Sequence, residues 1–121
     1  MILVDTSVWI DHLRQPDKEL QKLLENDEVV MHPLVRLELA LGSIANREMV
    51  LADMALLPQA PVAAMDELFR LVELRGLSRR GLGVTDLHLV ASALLDRSIA
   101  IWTRDWRLGE IAEELGVRAG R

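Results

Sequence analysis

The chain of 121 residues contains no cysteine and no tyrosine, and it has one phenylalanine and three tryptophans. The absence of cysteine excludes disulfides and thiolate metal sites, and it fits a reducing cytoplasm, where we expect the protein to be. Because aromatic residues make up only 3% of the chain, a stacking platform for single-stranded nucleic acid is not expected. A nucleic acid partner would instead be recognised by its shape and the positions of its phosphates.

Long apolar runs are also missing. No stretch approaches the roughly 20 apolar residues that cross a membrane, and the first residues lack the basic flank and cleavage site of a secretion signal. We therefore expect no membrane contact. The length is that of one domain, 1–121, and a composition that is half apolar and about a quarter charged is typical of a globular protein.

The formal net charge is −5, which taken alone argues against nucleic acid as a partner. Four acidic residues discussed below account for most of this excess, so the rest of the chain is close to balanced. Solvent-exposed helix ends would explain the arginine positions as well as a nucleic acid partner would. The arginines lie in two clusters: Arg70, Arg75, Arg79 and Arg80, then Arg97, Arg104 and Arg107.

Short apolar runs alternate with segments of helical periodicity along the chain. This alternation predicts an α/β fold, a three-layer α/β/α sandwich with a central, mostly parallel sheet. Pro16 and Asp17 separate two short N-terminal helices, and Pro33 occupies a position favoured at the start of a helix. The predicted strands are 1–4, 28–32 and 98–103, with 117–118 as a short edge strand, and the later helices are 34–41, 47–57, 64–74, 85–95 and 106–115.

Two acidic residues follow predicted strands, at the sheet edge where ligands bind in such folds. Asp5 ends the first strand, and Asp105 comes just after the strand 98–103. Asp86 lies in the first turn of the helix 85–95. Each of the three has a simpler explanation, because a carboxylate at the start of a helix caps free N–H groups and is favoured by the helix dipole.

Glu38 does not fit the capping explanation. Helical spacing counted from Leu34 places it on one stripe with Leu37 and Leu41, so we expect it to be partly buried. A buried, unpaired carboxylate costs several kcal/mol, and Glu38 therefore needs a cation, a proton or a distant arginine.

Four carboxylates that meet at one edge repel one another, and bound divalent cations reverse that repulsion. A site made only of oxygen ligands suits Mg²⁺ or Mn²⁺, and carboxylate-held Mg²⁺ supports cleavage of phosphodiesters. The three histidines, His12, His32 and His88, have no partners at metal-ligand spacing, and we interpret them as structural or surface residues.

Four segments, taken in order, resemble the PIN-domain family and, within it, the VapC-type toxins of bacterial toxin–antitoxin pairs. Each motif alone is weak, but together they span almost the whole chain. They are 2–9 (ILVDTSVW), 36–42 (RLELALG), 83–93 (GVTDLHLVASA) and 101–105 (IWTRD).

The resemblance implies an endoribonuclease that uses Mg²⁺ or Mn²⁺ to hydrolyse structured RNA, is neutralised by a cognate antitoxin and forms a homodimer. The family's metal-site carboxylates match Asp5, Glu38, Asp86 and Asp105, with Glu38 acting as a ligand or as a base. The family's small polar residue after the last strand matches Thr103, and the hydroxyl beside the first aspartate matches Thr6 or Ser7. We expect these hydroxyls to orient the carboxylates or the waters of the metal.

Arginines near these motifs are candidates for contacts with RNA phosphates: Arg79, Arg80, Arg104 and Arg107. The helix 47–57 is apolar nearly all round, which predicts either cover by a second chain or burial inside the layers. A phosphoaspartate protein that uses Asp5 is disfavoured, because the chain has only two lysines, Lys18 and Lys22. The remaining alternative is a non-catalytic PIN-like module that binds RNA or protein.

Overall fold

The N-terminal strand β1 (Ile2–Val4) runs through the middle of a parallel sheet in the computed structural model, which describes residues 1–121. Its neighbours are β2 (Val29–Val30) and β3 (Ala100–Trp102), in the order β2-β1-β3. Isolated parallel bridges extend both edges, from Met31 to Gln59 and from Ile101 to Arg118. Parallel neighbours need crossover connections, and helices provide them here, so the predicted α/β sandwich is confirmed.

The helices begin and end within one or two residues of the predicted positions. Asp17 starts the second helix by accepting hydrogen bonds from the N–H groups of Glu19 and Leu20. The strands are shorter than predicted, because Met31 leaves β2 to pair with the segment after the fourth helix. The helices are α1 (Thr6–Arg14), α2 (Lys18–Glu25), α3 (Pro33–Leu41), α4 (Arg47–Leu56), α5 (Met65–Arg75), α6 (Val84–Leu95) and α7 (Trp106–Glu114).

The prediction for the inner face of α3 is wrong. Val35 and Leu39 are the buried residues of this helix, whereas Leu37 and Leu41 are 53% and 81% exposed. Glu38 lies on the exposed side with them. Leucines on several sides of one helix leave its 3.6-residue period ambiguous, and packing against α1, α4 and α6 selects a different stripe.

The same ambiguity affects α4 and α5. Leu51 and Met54 are the buried residues of α4, while Met49 and Leu56 remain exposed. On α5 only Leu68 is buried. The apolar surplus of α4 is thus divided between the core and the surface. No helix has the length and apolar content needed to cross a membrane.

Candidate active site

The parallel sheet brings two of the predicted acidic residues to one edge. Asp5 directly follows β1, and Asp105 comes three residues after the end of the neighbouring strand β3. The backbone N–H of Asp5 continues the ladder by donating to the carbonyl of Trp102 at 2.9 Å. The carboxyl ends of two adjacent parallel strands therefore place both carboxylates at the same edge.

Asp5 is buried and held by three hydrogen-bond donors. Its Oδ1 accepts from the backbone N–H of Thr6 at 2.7 Å. Its Oδ2 accepts from the hydroxyls of Ser7 at 2.9 Å and Thr103 at 2.7 Å. Donors to the charged form of a carboxylate stabilise it, so these contacts fix the orientation of a buried anion.

Thr103 connects the two aspartates at the ends of β1 and β3. Its buried hydroxyl donates to Asp5 and accepts from the backbone N–H of Asp105 at 3.0 Å. The Oδ1 of Asp105 in turn accepts from the N–H groups of Arg107 and Leu108, which caps α7. Asp105 is therefore a helix cap that also faces the site.

Glu38 reaches this edge from α3. Its Oε1 accepts a 2.7 Å hydrogen bond from the hydroxyl of Thr6, the residue after Asp5. The expectation that Glu38 is buried on an apolar stripe is wrong, because the residue is exposed. Its position beside Asp5 follows instead from the packing of α1 against α3.

Asp86 completes the group from the first turn of α6, where its Oδ2 accepts from the N–H of Gly83 at 3.3 Å. Burial raises the pKa of Asp86 to about 6, the Gly83 hydrogen bond partly opposes this, and the negative charges of Asp5, Asp105 and Glu38 raise it further. The interaction with all three shows that four acidic side chains from distant parts of the chain share one electrostatic environment.

No cationic side chain neutralises these four carboxylates. None of the ion pairs in the structure includes Asp5, Glu38, Asp86 or Asp105. The arginines that form ion pairs contact other acidic residues: Asp11, Asp17, Glu19, Glu113 and Glu114. The site therefore concentrates negative charge that the protein itself leaves uncompensated.

As the side chains stand, no three acidic or histidine residues form a ready set of metal ligands. The physical reason is visible in the contacts above, since each carboxylate is turned towards a nearby N–H or hydroxyl. The donor set nevertheless fits a hard divalent cation, because it offers carboxylate and hydroxyl oxygens and no sulfur.

The four candidate RNA-binding arginines differ in how they are engaged. Arg80 makes a bidentate ion pair with Glu114, at 2.8 and 3.2 Å. Arg104 pairs with Asp11 and, at 2.8 Å, with Asp17. Sequence spacing gave no sign of these partners, because Asp11 and Asp17 lie about 90 residues away from Arg104.

Arg79 and Arg107 have no carboxylate partner and are exposed. The guanidinium of Arg107 lies 5.1 Å from the ring centroid of Trp106, and its stem contacts Gly81, where a Cβ atom would lie 2.7 Å from the Arg107 Cδ. The loop that carries Arg79 is thus packed against the start of α7, beside Asp105.

The histidines occupy structural positions. His12 Nδ1 accepts from the N–H of Asp17, and His32 Nδ1 accepts from the N–H of Leu34 at the start of α3. His32 is fully buried. His88 follows Asp86 on α6, and its ring centroid lies 5.4 Å from that of His32.

Comparison with known proteins agrees with this geometry. The sequence profile of the PIN-domain family matches residues 2–114. Ribonuclease VapC32 of Mycobacterium tuberculosis, from strain CDC 1551 / Oshkosh and from strain ATCC 25618 / H37Rv, is 53% identical over 117 residues. The match covers 97% of this chain and 94% of that protein. The chain therefore belongs to the PIN-domain family and is a VapC-type member of it.

Proposed function

We propose that the protein is a divalent-metal-dependent endoribonuclease and acts as the toxin of a VapBC-type pair. One observation carries the proposal: four carboxylates from separate elements share one edge of the sheet without a cationic partner. The relative over nearly the whole chain is named a ribonuclease. Mg²⁺ or Mn²⁺ is the proposed cofactor, because the available ligands are oxygens.

In this proposal Asp5, Asp86 and Asp105 hold the metal, and Glu38 is either a further ligand or the base. When bound, the ion would supply charge neutralisation and acidify a coordinated water. The hydroxyls of Thr6, Ser7 and Thr103 donate to the carboxylates and hold them in position, so that little reorganisation is needed during the reaction.

Hydrolysis forms a bond from a water oxygen to phosphorus and breaks the bond from phosphorus to a ribose oxygen. The attacking water gives up a proton, and the departing ribose oxygen takes one. Glu38 suits the role of acceptor, because it is exposed at the edge of the group and its Oε1 is oriented by Thr6. A base within hydrogen-bonding reach of the reacting water is what such a proton transfer requires.

RNA would approach through phosphate contacts rather than base stacking. Arg79 and Arg107 suit this role best, since both are exposed and free of ion pairs. Arg80 and Arg104 would first have to leave Glu114 and the Asp11–Asp17 pair. We assign structured RNA as the substrate class, because the VapC-type family implies it and the chain has few aromatic residues for stacking on single strands.

The proposal includes two protein partners and a cytoplasmic location. A cognate VapB-type antitoxin would neutralise the toxin, and a second copy of the chain would form a homodimer. Large apolar side chains on the surface support such contacts. Those of the adjacent helices α3 and α4 are Leu37, Leu41, Met49 and Leu56.

The test is cleavage of total RNA by the purified protein with Mn²⁺ or Mg²⁺, with EDTA as the metal-free control. Asp86→Asn should lower cleavage about 100-fold or more, because loss of a proposed metal ligand should cost at least as much as loss of a residue that only orients one. Glu67→Gln is the matched control, because Glu67 occupies the same capping position on α5 and accepts from the N–H of Ala64. It should cleave like the unmodified protein.

A non-catalytic module that only binds RNA or protein is the alternative. It predicts binding without cleavage under every metal condition. Cleavage that persists in EDTA, or an equal loss in the Asp86 and Glu67 variants, would contradict the proposed site.

A further inference from the structure

Two buried histidine nitrogens, which belong to neighbouring rings, have no hydrogen-bond partner. The first is Nε2 of His32, a fully buried residue between β2 and α3. The second is Nδ1 of His88, on α6. Buried polar atoms are almost always paired in native proteins, so two orphans in neighbouring rings require an explanation.

The tautomer of the His32 ring follows from the hydrogen bond that its other nitrogen, Nδ1, accepts. Nδ1 accepts a 3.0 Å hydrogen bond from the N–H of Leu34, so Nδ1 carries a lone pair and not a proton. In a neutral imidazole the proton then lies on Nε2. The unpartnered atom of His32 is therefore a donor that needs an acceptor.

His88 offers the complementary atom. Its ring is inclined by 58° to that of His32, and the centroids are 5.4 Å apart. Because a ring nitrogen lies roughly 1 Å from its centroid, two nitrogens turned towards each other at this centroid distance would be about 3 Å apart, a hydrogen-bonding distance. The Nδ1 atom of His88 is an acceptor whenever its proton is on Nε2.

The two histidines connect the helices that carry two of the site carboxylates. His32 caps the start of α3, on which Glu38 lies, and His88 is two residues after Asp86 on α6. The two helices are in contact. A link between these rings would therefore fix the start of α6 relative to α3.

We propose that His32 Nε2–H donates to His88 Nδ1, directly or through one water molecule. This link makes His32 a positioning residue that sets Asp86 relative to Glu38. The link itself is independent of the proposed ribonuclease activity, whereas its effect on cleavage rests on that proposed function.

The link is tested by ¹⁵N NMR of the unmodified protein at a pH of about 8, where ordinary histidines are neutral. Both rings should be Nε2–H tautomers, assigned by comparison with His32→Asn and His88→Gln. A coupling between the two nitrogens identifies the direct bond, and slow exchange of the His32 Nε2 proton with a cross-peak to water identifies the bridging water. The same tautomers with neither signal would overturn the proposal, because Nε2–H is also the ordinary tautomer of an unlinked neutral histidine. A proton on Nδ1 of either ring would overturn the proposal, because neither form allows His32 to donate to His88.

The positioning effect is tested with His32→Asn, whose side-chain oxygen can still cap Leu34 but cannot reach His88. We expect kcat for RNA cleavage or Mn²⁺ affinity to fall about 10-fold or more, as for other residues that orient metal ligands, with KM for RNA unchanged. The matched control is His12→Asn, since His12 Nδ1 also accepts from a backbone N–H, that of Asp17.

Equal kinetics for the His32 and His12 variants would overturn the positioning role. Circular dichroism and melting curves show whether each variant is folded. If His32→Asn does not fold, His88→Gln gives the same comparison from the other side of the link. Absence of cleavage by the unmodified protein would count against the proposed function and leave the NMR result standing.

Discussion

At the scale of single residues, Asp5 shows that capping and site chemistry are compatible. Its carboxylate accepts from the N–H of Thr6 at the start of α1 and from two hydroxyls, those of Ser7 and Thr103. A cap alone does not require burial beside three other acidic residues. The carboxylate is therefore held by more donors than capping needs, in a group with three other acidic side chains.

Asp5→Asn should separate the two roles. Asparagine preserves the shape and the capping oxygen and removes one of four uncompensated charges, but its NH₂ group cannot accept from the hydroxyls of Ser7 and Thr103 as Oδ2 does. We expect the melting-temperature increase with Mn²⁺ to be mostly lost, because that increase measures binding to the folded state. Melting curves in EDTA and in excess Mn²⁺ give the increase for each protein.

If Asp5 were only a cap, asparagine would lower stability by up to about 1–2 kcal/mol. The metal-induced increase would then be intact. A variant that retains the full increase is incompatible with the proposed ligand set.

His32 gives a prediction for the pH dependence of stability. Burial, and secondarily the nearby His88, lowers the pKa of His32 to about 4 from an ordinary value of 6.5. As the pH falls below 6.5 the unfolded chain takes up the proton first, so stability is present above pH 6.5 and is lost progressively towards pH 4. The full loss from this residue is about 3 kcal/mol.

Urea unfolding of the unmodified protein and of His32→Asn across this range measures the effect. As the pH falls, the unfolding free energy of the unmodified protein should decrease more than that of His32→Asn. Parallel curves would show that His32 is not the residue responsible.

At the scale of secondary-structure elements, the site is built from helix beginnings and strand ends. Asp5 caps α1 directly after β1, Asp105 caps α7 three residues after the end of β3, and Asp86 lies in the first turn of α6. Such positions are readable from sequence, because an apolar run followed by an aspartate indicates both a strand end and a cap. The strand order then brings them together.

Other features of the structure could not be predicted from the sequence. The exposed face of α3 could not be identified, because leucines lie on several of its sides and only packing against the neighbouring helices selects Val35 and Leu39 for burial. Glu38 was assigned to the site by its motif, while the periodicity argument for it failed. The ion pair between Arg104 and Asp17 depends on how two distant loops meet, which no local pattern encodes.

The predicted phosphate contacts are Arg79, in the loop between α5 and α6, and Arg107, at the start of α7. Replacing both Arg79 and Arg107 with alanine should weaken RNA binding and reduce the slope of log affinity against log salt by about 2, roughly one for each phosphate contact. Metal affinity should not change. Binding titrations at several salt concentrations give the slope.

The matched control is the pair Arg14→Ala and Arg97→Ala. Both arginines lie at the far ends of helices that begin at the site, α1 and α6, and neither forms an ion pair. An equal loss of slope in the control would show that RNA responds to overall charge rather than to this edge.

At the scale of the whole molecule, α3 and α4 expose apolar side chains that a monomer leaves in water. Leu41 and Leu56 are 81% and 84% exposed. We expect a homodimer at micromolar concentration, and Leu41→Glu with Leu56→Glu should convert it to a folded monomer. Leu74→Glu on α5, where the leucine is 74% exposed, is the control. Sedimentation equilibrium measures the mass, and a monomeric unmodified protein at high micromolar concentration would exclude the dimer.

The central position of β1 has a consequence for the synthesis of the protein. β1 leaves the ribosome before the other two strands, yet one of its two neighbours is β3, about a hundred residues later. Pairing across such a separation is slow and must wait for the late segment. A chain that stops before β3 lacks Thr103 and Asp105 and leaves the hydroxyl contact to Asp5 unmade. Translation products that stop before β3 would therefore not carry the site, and the cell would meet the nuclease only once this strand and the residues after it had been made.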